Sequence, residues 1–199
     1  MPVRIFATIL VLSIASSTHA QIHSGGGFGG GGGLDNETFR SSLQASSAPY
    51  VETDNILITI SKTGKTVTAF SALTGKTASL SFEEKVEPFV PIVSGNLACF
   101  AHNKSAYAFI ATTGKWQAVK TKTKNAQFIH SGTMACFVEG KTAYAIGDQT
   151  GKWLQIDAEE VPIPSFTTTM VKFQVKSKIY ICSATSKEWQ VIDLESDGK

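Results

Sequence analysis

The sequence predicts an all-β fold, a small β-propeller-like array of four antiparallel four-stranded repeats. A 13-residue block recurs four times without a gap, at Lys65–Thr77, Lys104–Trp116, Lys141–Trp153 and Ser177–Trp189. The apolar residues taken as equivalent starts of the four units are 40, 37 and 36 residues apart: Leu57, Leu97, Met134 and Met170. A meander of this size cannot bury its apolar face alone, so neighbouring units must stack. Radial stacking of four-stranded sheets is the propeller arrangement.

Each unit has the same predicted order of strands. A weak strand comes first, near Tyr50-Val51, Phe89–Val93, Phe128-Ile129 and Phe166. An apolar strand follows, at Ile56–Ile60, Leu97–Ala101, Met134–Val138 and Met170–Val175. A second strand runs over Val67–Phe70, Ala106–Ile110, Ala143–Ile146 and Ile179–Cys182. A Thr-Gly-Lys turn, weakened in the last unit, leads to a third strand that begins at Thr77, Trp116, Trp153 or Trp189. Segments rich in Val, Ile, Thr and Tyr between glycine turns are typical of strands and hairpins.

The first 20 residues have the three-part layout of a secretory signal peptide. Arg4 supplies a positive charge, Ile5–Ile14 is a short apolar core, and Thr18-His19-Ala20 offers small residues at a cleavage site. We therefore expect a secreted or periplasmic protein whose mature chain begins at Gln21. No later apolar run in the sequence reaches the length that spans a membrane.

The rest of the chain divides by composition. Residues 21–48 form a Gly-rich tether and a short polar segment, residues 49–195 the repeat domain, and residues 196–199 a polar tail. The glycine run Ser24–Gly33 contains G-x-G-x-x-G spacings. No strand precedes it, so the sequence does not support a phosphate-binding loop there.

The charge balance gives no sign of a nucleic-acid partner. Lys plus Arg number 18 and Asp plus Glu 16, which is a formal net charge of +2. Phosphate binding needs concentrated positive charge. The one lysine-rich stretch, Lys115–Lys124, fits a solvated edge strand better than a binding site.

The three cysteines are predicted to be buried and unpaired. Cys99 and Cys136 occupy the same position in neighbouring units, and Cys182 occupies a different one. Equivalent positions in neighbouring repeats are usually too far apart for a disulfide. All three fit small apolar core residues.

No residue pattern indicates a catalytic, metal or cofactor site. The histidines of the mature chain, His23, His102 and His130, have no metal-ligand spacing, and we expect His102 and His130 at the surface. The adjacent carboxylates Glu83-Glu84 and Glu159-Glu160 fit solvated loops. No nucleophile motif is present. We therefore expect no enzyme, no catalytic, cofactor-binding or metal residues, and no cofactor.

A column of tryptophans is the most conspicuous candidate for ligand binding. Trp116, Trp153 and Trp189 recur at one position of the repeat. Aromatic platforms bind sugars and peptides, but recurrence favours a packing role because large aromatic side chains dominate burial energy.

The turns of the repeat resemble those of PQQ-like β-propellers. The resemblance rests on Ala-Tyr-Ala followed by Thr-Gly-Lys at Ala106–Lys115 and Ala143–Lys152, and it covers roughly residues 49–194. It implies blades in which a Trp after the turn docks against a neighbouring blade. No position here matches that family's quinone or calcium sites, so quinone binding is not implied.

The expected function is that of an exported, non-catalytic scaffold that binds a protein or glycan partner. Two alternatives remain open: a half-propeller subunit completed by dimerisation, and an extracytoplasmic enzyme with a site in the propeller channel. We expect a monomer, slightly in preference to a homodimer, whose first and last units close against each other around Tyr50 and after Trp189. The N-glycosylation sequons at Asn36 and Asn103 matter only in a host that glycosylates.

Overall fold

The computed structural model of the chain describes residues 50–124 and 126–195. The predicted signal peptide, the tether, the tail, His23 and Asn36 lie outside the described residues. The strands are β1 (Tyr50–Glu52), β2 (Ile56–Ile60), β3 (Thr66–Ser71), β4 (Lys76–Ser81), β5 (Ile92–Ser94), β6 (Leu97–His102), β7 (Ser105–Ile110), β8 (Lys115–Lys120), β9 (Ile129–Ser131), β10 (Met134–Glu139), β11 (Thr142–Gly147), β12 (Leu154–Asp157), β13 (Ile163–Phe166), β14 (Met170–Val175), β15 (Lys178–Ser183) and β16 (Gln190–Asp193).

The strands form four antiparallel meanders, each with its strands in chain order. We call them blade 1 (β1–β4), blade 2 (β5–β8), blade 3 (β9–β12) and blade 4 (β13–β16). Contacts between blades run from β2 to β6, from β6 to β10 and from β10 to β14. The predicted fold class is therefore confirmed: the chain is a β-propeller-like array of four four-stranded blades.

One detail of the repeat alignment was wrong. Ile56, and not Leu57, pairs with Ser71 in blade 1, as Leu97 pairs with Ile110 in blade 2. The hairpin of blade 1 joins Ile60 to Val67, a longer connection than the two-residue turn between His102 and Ser105. Counting along the sequence could not show how many residues this loop absorbs.

The Thr-Gly-Lys turns all lie at one edge of the array, which we call the turn edge. Gly114 has φ 66°, and its amide donates a 2.8 Å hydrogen bond to the carbonyl of Ile110. A side chain at this φ is strained, which explains the glycine. The connections between blades and the hairpins at the ends of β2, β6, β10 and β14 lie at the opposite edge, which we call the loop edge.

The hydrophobic core lies between consecutive blades. One buried cluster joins blades 1 and 2 and includes Ile58, Val67 and Phe100. A second joins blades 2 and 3 through Cys99 and Ile146. A third joins blades 3 and 4 and includes Met134, Ala145, Val171, Phe173 and Cys182. Each blade alone would expose one of these surfaces, so stacking is what makes the array stable.

Hydrogen bonds at the turn edge connect the blades in series. The Asn55 side-chain amide donates to Asn96 Oδ1 at 2.8 Å, and the Asn96 amide donates to Asp148 Oδ2 at 2.8 Å. Ser71 Oγ donates to the carbonyl of Ala111 at 2.7 Å. These bonds run from blade 1 to blade 3 and fix the stacking register along one edge.

The three cysteines are buried and unpaired in the structure, as predicted. Burial raises the pKa of Cys182 to about 12 and raises the pKa of Cys99 and Cys136 above their ordinary value. A thiol with a raised pKa is a poor nucleophile, so the three side chains serve as core residues.

Blades 3 and 4 approach each other closely at Gly147. A Cβ atom built on Gly147 would lie 2.5 Å from the carbonyl oxygen of Ala184. A Cβ atom built on Gly132, in the hairpin before β10, would have no such atom within 4 Å. Both residues lack a positive φ, so the two differ in available space and not in backbone conformation.

We expect Gly147→Ala to lower the free energy of unfolding by about 1–3 kcal/mol, because the new methyl group would force the backbones of two blades apart. Gly132→Ala is the matched control and should change stability by less than about 0.5 kcal/mol. Urea unfolding followed by tryptophan fluorescence measures both. Equal stability of the two variants would mean that blades 3 and 4 are not packed as described.

The two ends of the array are not closed against each other. Tyr50 at the start of blade 1 is 37% exposed, and Val191, Ile192 and Leu194 at the end of blade 4 are 52%, 49% and 56% exposed. The expected closure of the first unit on the last is therefore not formed.

Candidate functional site

A cavity of about 450 Å³ opens at the loop edge beside blade 2. Two connections between blades form its walls, through residues 84–90 before β5 and through Lys124 and residues 126–128 before β9. The hairpin between β6 and β7 closes it from the side. The lining residues are Glu84, Lys85, Glu87, Pro88, Val90, Ile92, Ala101, His102, Asn103, Lys124, Ala126, Gln127 and Phe128.

The cavity has an apolar wall and a charged rim. Val90 is 66% exposed and Ile92 is 37% exposed, although both are aliphatic. The rim carries both signs of charge, and Lys85 lies 3.8 Å from Glu87 in an exposed ion pair. An exposed pair of this kind contributes little to stability. Val90 and Ile92 thus give the cavity an apolar wall that is open to solvent.

The hairpin beside the cavity has an unusual backbone. Asn103 and Lys104 have φ values of 47° and 55°. Two consecutive positive φ values are typical of the tight turns that join two strands, but lysine is not favoured there. The Asn103 side-chain amide donates a 3.1 Å hydrogen bond to Glu84 Oε2. This bond ties the hairpin to the loop that forms the other side of the cavity.

His102 lies at the base of the cavity and is not the surface residue that we expected. Only 8% of it is exposed, and its ring packs edge-on against Phe82 with centroids 4.9 Å apart. Its Nε2 atom is buried without a hydrogen-bond partner. Burial lowers the pKa of His102, which the nearby Glu84 partly offsets. An enclosed imidazole of this kind shapes the cavity floor.

A buried carboxylate anchors the second loop of the cavity. Glu139, at the end of β10, accepts a 2.6 Å hydrogen bond from the Lys122 amide and a further bond from the Thr123 amide. Burial alone would raise the pKa of Glu139, but these N–H groups hold it below its ordinary value. The two bonds therefore hold the backbone of Lys122 and Thr123 against the end of β10.

His130 was also expected at the surface, and the structure buries its ring. It lies on β9 opposite Ala135, whose side chain belongs to the core between blades 2 and 3. Both ring nitrogens are buried without a hydrogen-bond partner. Burial lowers the pKa of His130 to about 4. No pattern in the sequence of the short strand β9 indicated that it faces another blade.

The tryptophans take the packing role that their recurrence predicted. Trp116 packs edge-on against Phe100, with centroids 5.5 Å apart, and its Nε1 donates a 3.0 Å hydrogen bond to the carbonyl of Ala78 in blade 1. Trp153 packs against Phe137 and Trp189 against Phe173. The docking of Trp116 onto the preceding blade is the arrangement that the resemblance to PQQ-like propellers implied.

The other sequence candidates lie in solvent, as expected. The Glu159 side chain is 77% exposed and its Oε2 lies 2.5 Å from Lys176 Nζ. Lys115–Lys120 forms β8, an edge strand of its sheet. Of the paired carboxylates, only Glu84 is brought into the cavity. The sequence could not predict this position, because Glu84 is bonded to Asn103, which lies in a hairpin 19 residues later.

Two further properties concern the described residues, 50–124 and 126–195. They contain no group of three or more His, Cys, Asp or Glu side chains that could hold a metal ion. They also contain no helix with the length and apolar character needed to cross a membrane.

Comparison with protein families and with curated proteins finds no match. Among solved structures, the computationally designed Ika8 protein is 15% identical, with a TM-score of 0.35, over 72% of this chain and 48% of that one. Hsv2 from Kluyveromyces lactis is 8% identical, with a TM-score of 0.35, over 73% and 50%. The Pan2 WD40 domain from Neurospora crassa is 9% identical, with a TM-score of 0.30, over 71% and 50%. The chain spans about half the length of these proteins.

Proposed function

We propose that the protein is an exported, non-catalytic scaffold that binds a segment of a partner protein in the cavity at the loop edge. The single observation that carries the proposal is an apolar wall left open beside a charged rim in a preformed site. Val90 is 66% exposed there, within 450 Å³ of space bounded by two anchored loops. Preformed pockets of this kind, apolar with a few oriented polar groups, are the usual form of a binding site.

The polar groups of the cavity suit a peptide better than a sugar. Asn103 and Gln127 offer amides, Glu84 and Glu87 offer acceptors, and Lys124 offers a cation. The three tryptophans, which could have formed sugar platforms, pack inside the array instead. A protein partner is therefore favoured over a glycan.

The non-catalytic part of the proposal rests on the state of the titratable groups. The enclosed His102 ring does not offer Nε2 to a bound molecule, because that atom has no solvent exposure. Lys85 pairs with Glu87, and Glu84 accepts a hydrogen bond from Asn103. Groups engaged in this way position loops and do not form a nucleophile–base pair.

Export is proposed from the predicted signal peptide at residues 1–20. N-terminal sequencing of protein secreted by a host tests it, with Gln21 as the expected first residue. A mature chain that begins at Met1 would contradict the export proposal.

Relatedness to PQQ-like propellers is proposed only for the blades, because of their similar turns and the docked tryptophan.

A displayed library of random linear peptides tests the binding proposal. Enriched peptides should bind the mature protein, and Val90→Asp should weaken that binding by at least about tenfold, since a charge on the apolar wall opposes burial of an apolar side chain. Leu73→Asp is the matched control, because Leu73 is 52% exposed at the turn edge. Equal binding by both variants would contradict the assignment of the cavity. If no peptide is enriched and the protein binds glycans on an array instead, the partner is a sugar and not a protein.

A further inference from the structure

Blades 1 and 4 each have one sheet face that no other blade covers. On blade 4 the register places Ile163, Lys172, Ile179, Ile181 and Ile192 on the face turned away from blade 3. Ile163 is 73% exposed, and a groove of about 580 Å³ runs beside it. We call this surface the blade 4 end face.

The corresponding surface of blade 1 is turned away from blade 2. It carries Glu52, Thr59, Thr68, Phe70 and Thr77, whose positions on one face follow from the pairing of β1 to β4. Phe70 is 38% exposed. We call this surface the blade 1 end face.

The three interfaces inside the chain follow one rule of size. Each later blade presents a Phe, a Tyr and a Trp to the blade before it. These trios are Phe100, Tyr107 and Trp116, then Phe137, Tyr144 and Trp153, then Phe173, Tyr180 and Trp189. The third strand of each earlier blade contributes two smaller residues to these interfaces, which are Val67 and Ala69, then Ala106 and Ala108, then Ala143 and Ala145.

The two end faces reverse this rule. Blade 1 has Thr59, Thr68 and Thr77 at the positions of the Phe, Tyr and Trp. The pairs Thr59–Thr68 and Phe70–Thr77 in blade 1 correspond to the pairs Phe100–Tyr107 and Phe109–Trp116 in blade 2. Blade 4 has Ile179 and Ile181 at the positions of the two small residues. Small side chains on one end face thus match large ones on the other, as close packing requires.

The end faces are also complementary in charge. Glu52 is the one charged strand residue of the blade 1 end face, and Lys172 is the one charged strand residue of the blade 4 end face, among the residues described. The positions equivalent to Glu52 and Lys172 in the other blades lie in the same core clusters. Val93 and Ile58 share the core between blades 1 and 2, and Phe166 and Cys136 share the core between blades 3 and 4.

We propose that a second copy of the chain covers both end faces. Blade 4 of each copy packs on blade 1 of the other, so two chains form one ring of eight blades. Glu52 of one copy pairs with Lys172 of the other within the new interface. Two such joints leave neither copy with an uncovered end face, so the assembly is closed and does not grow further. This inference is independent of the binding function proposed for the cavity.

Sedimentation equilibrium of the mature protein tests the inference. The expected result is a mass of two chains for the wild type. Lys172→Glu places a like charge opposite Glu52 and should raise the dissociation constant of the dimer by at least about tenfold, and Glu52→Lys should do the same. The double variant with both charges reversed should recover the dimer.

Lys115→Glu is the control, since Lys115 is exposed on β8 of blade 2 and lies outside both end faces. This variant should remain a dimer. Unchanged near-ultraviolet circular dichroism shows that each variant is folded. A wild type with the mass of one chain at every concentration would overturn the proposal. A mass that grows beyond two chains, or a double variant that stays dissociated, would do so as well.

Discussion

Trp153→Ala should lower the free energy of unfolding by about 3–5 kcal/mol, the usual cost of removing a large aromatic side chain that packs against a core. Trp153 packs edge-on against Phe137, with centroids 5.5 Å apart, and lies 6.3 Å from Phe128. Its ring belongs to the clusters that hold blades 2 and 3 together. Chemical denaturation monitored by circular dichroism measures the loss.

Leu73→Ala serves as the control for that variant. Leu73 is 52% exposed, so its truncation should change stability by less than about 0.5 kcal/mol. A more selective comparison uses phenylalanine at two tryptophan positions. Trp116→Phe removes the hydrogen bond to the Ala78 carbonyl, whereas the Nε1 of Trp153 is buried without a partner. Trp116→Phe should therefore cost more than Trp153→Phe, and the opposite order would contradict the described contacts.

Stability should fall by about 3 kcal/mol as the pH drops from 6.5 to 4, because of His130. The pKa of its buried ring is lowered from 6.5 to about 4. Above pH 6.5 the ring is neutral in both the folded and the unfolded chain, and stability is complete. Below pH 6.5 the unfolded chain binds a proton that the folded chain does not, so unfolding is favoured until the pH reaches about 4.

His130→Phe separates this effect from other titrations. The variant has no ring proton to bind, so its stability should lose most of its dependence on pH between 6.5 and 4. His102, whose pKa is also lowered, supplies a weaker trend in the same direction. Glu139 acts at lower pH, since its depressed pKa lies below the ordinary value of 4.5. An unchanged slope in His130→Phe, measured by urea denaturation across this range, would show that the ring is not buried between blades.

The repeat made most of the fold predictable. The block ending at Trp116 and its copies imposed the same two strands and turn in each unit, and strand order followed from short connections. Burial of the cysteines followed from their positions within strands. These inferences depend on local pattern, and the one error, the alignment of Leu57, arose where the loop of blade 1 is longer than that of blade 2.

The site and the ends of the array depend on contacts that no local pattern records. The cavity is built from loops that differ from unit to unit, and Val90 stands out only once its exposure is known. The burial of His130 depends on how β9 meets blade 2. The sequence shows Thr59, Thr68 and Thr77 but not their place on the sheet. Only the strand register shows that they stand where the other blades have Phe, Tyr and Trp.

Amide hydrogen exchange tests most directly the claim that the core lies between consecutive blades. The Lys172→Glu chain is used, so that the end faces stay uncovered. The central strands of blades 2 and 3, β6, β7, β10 and β11, have neighbours on both faces and should exchange most slowly. The central strands of blades 1 and 4 should exchange faster, because each has one open face. Equal protection in all four blades, or the slowest exchange in blade 4, would contradict the arrangement.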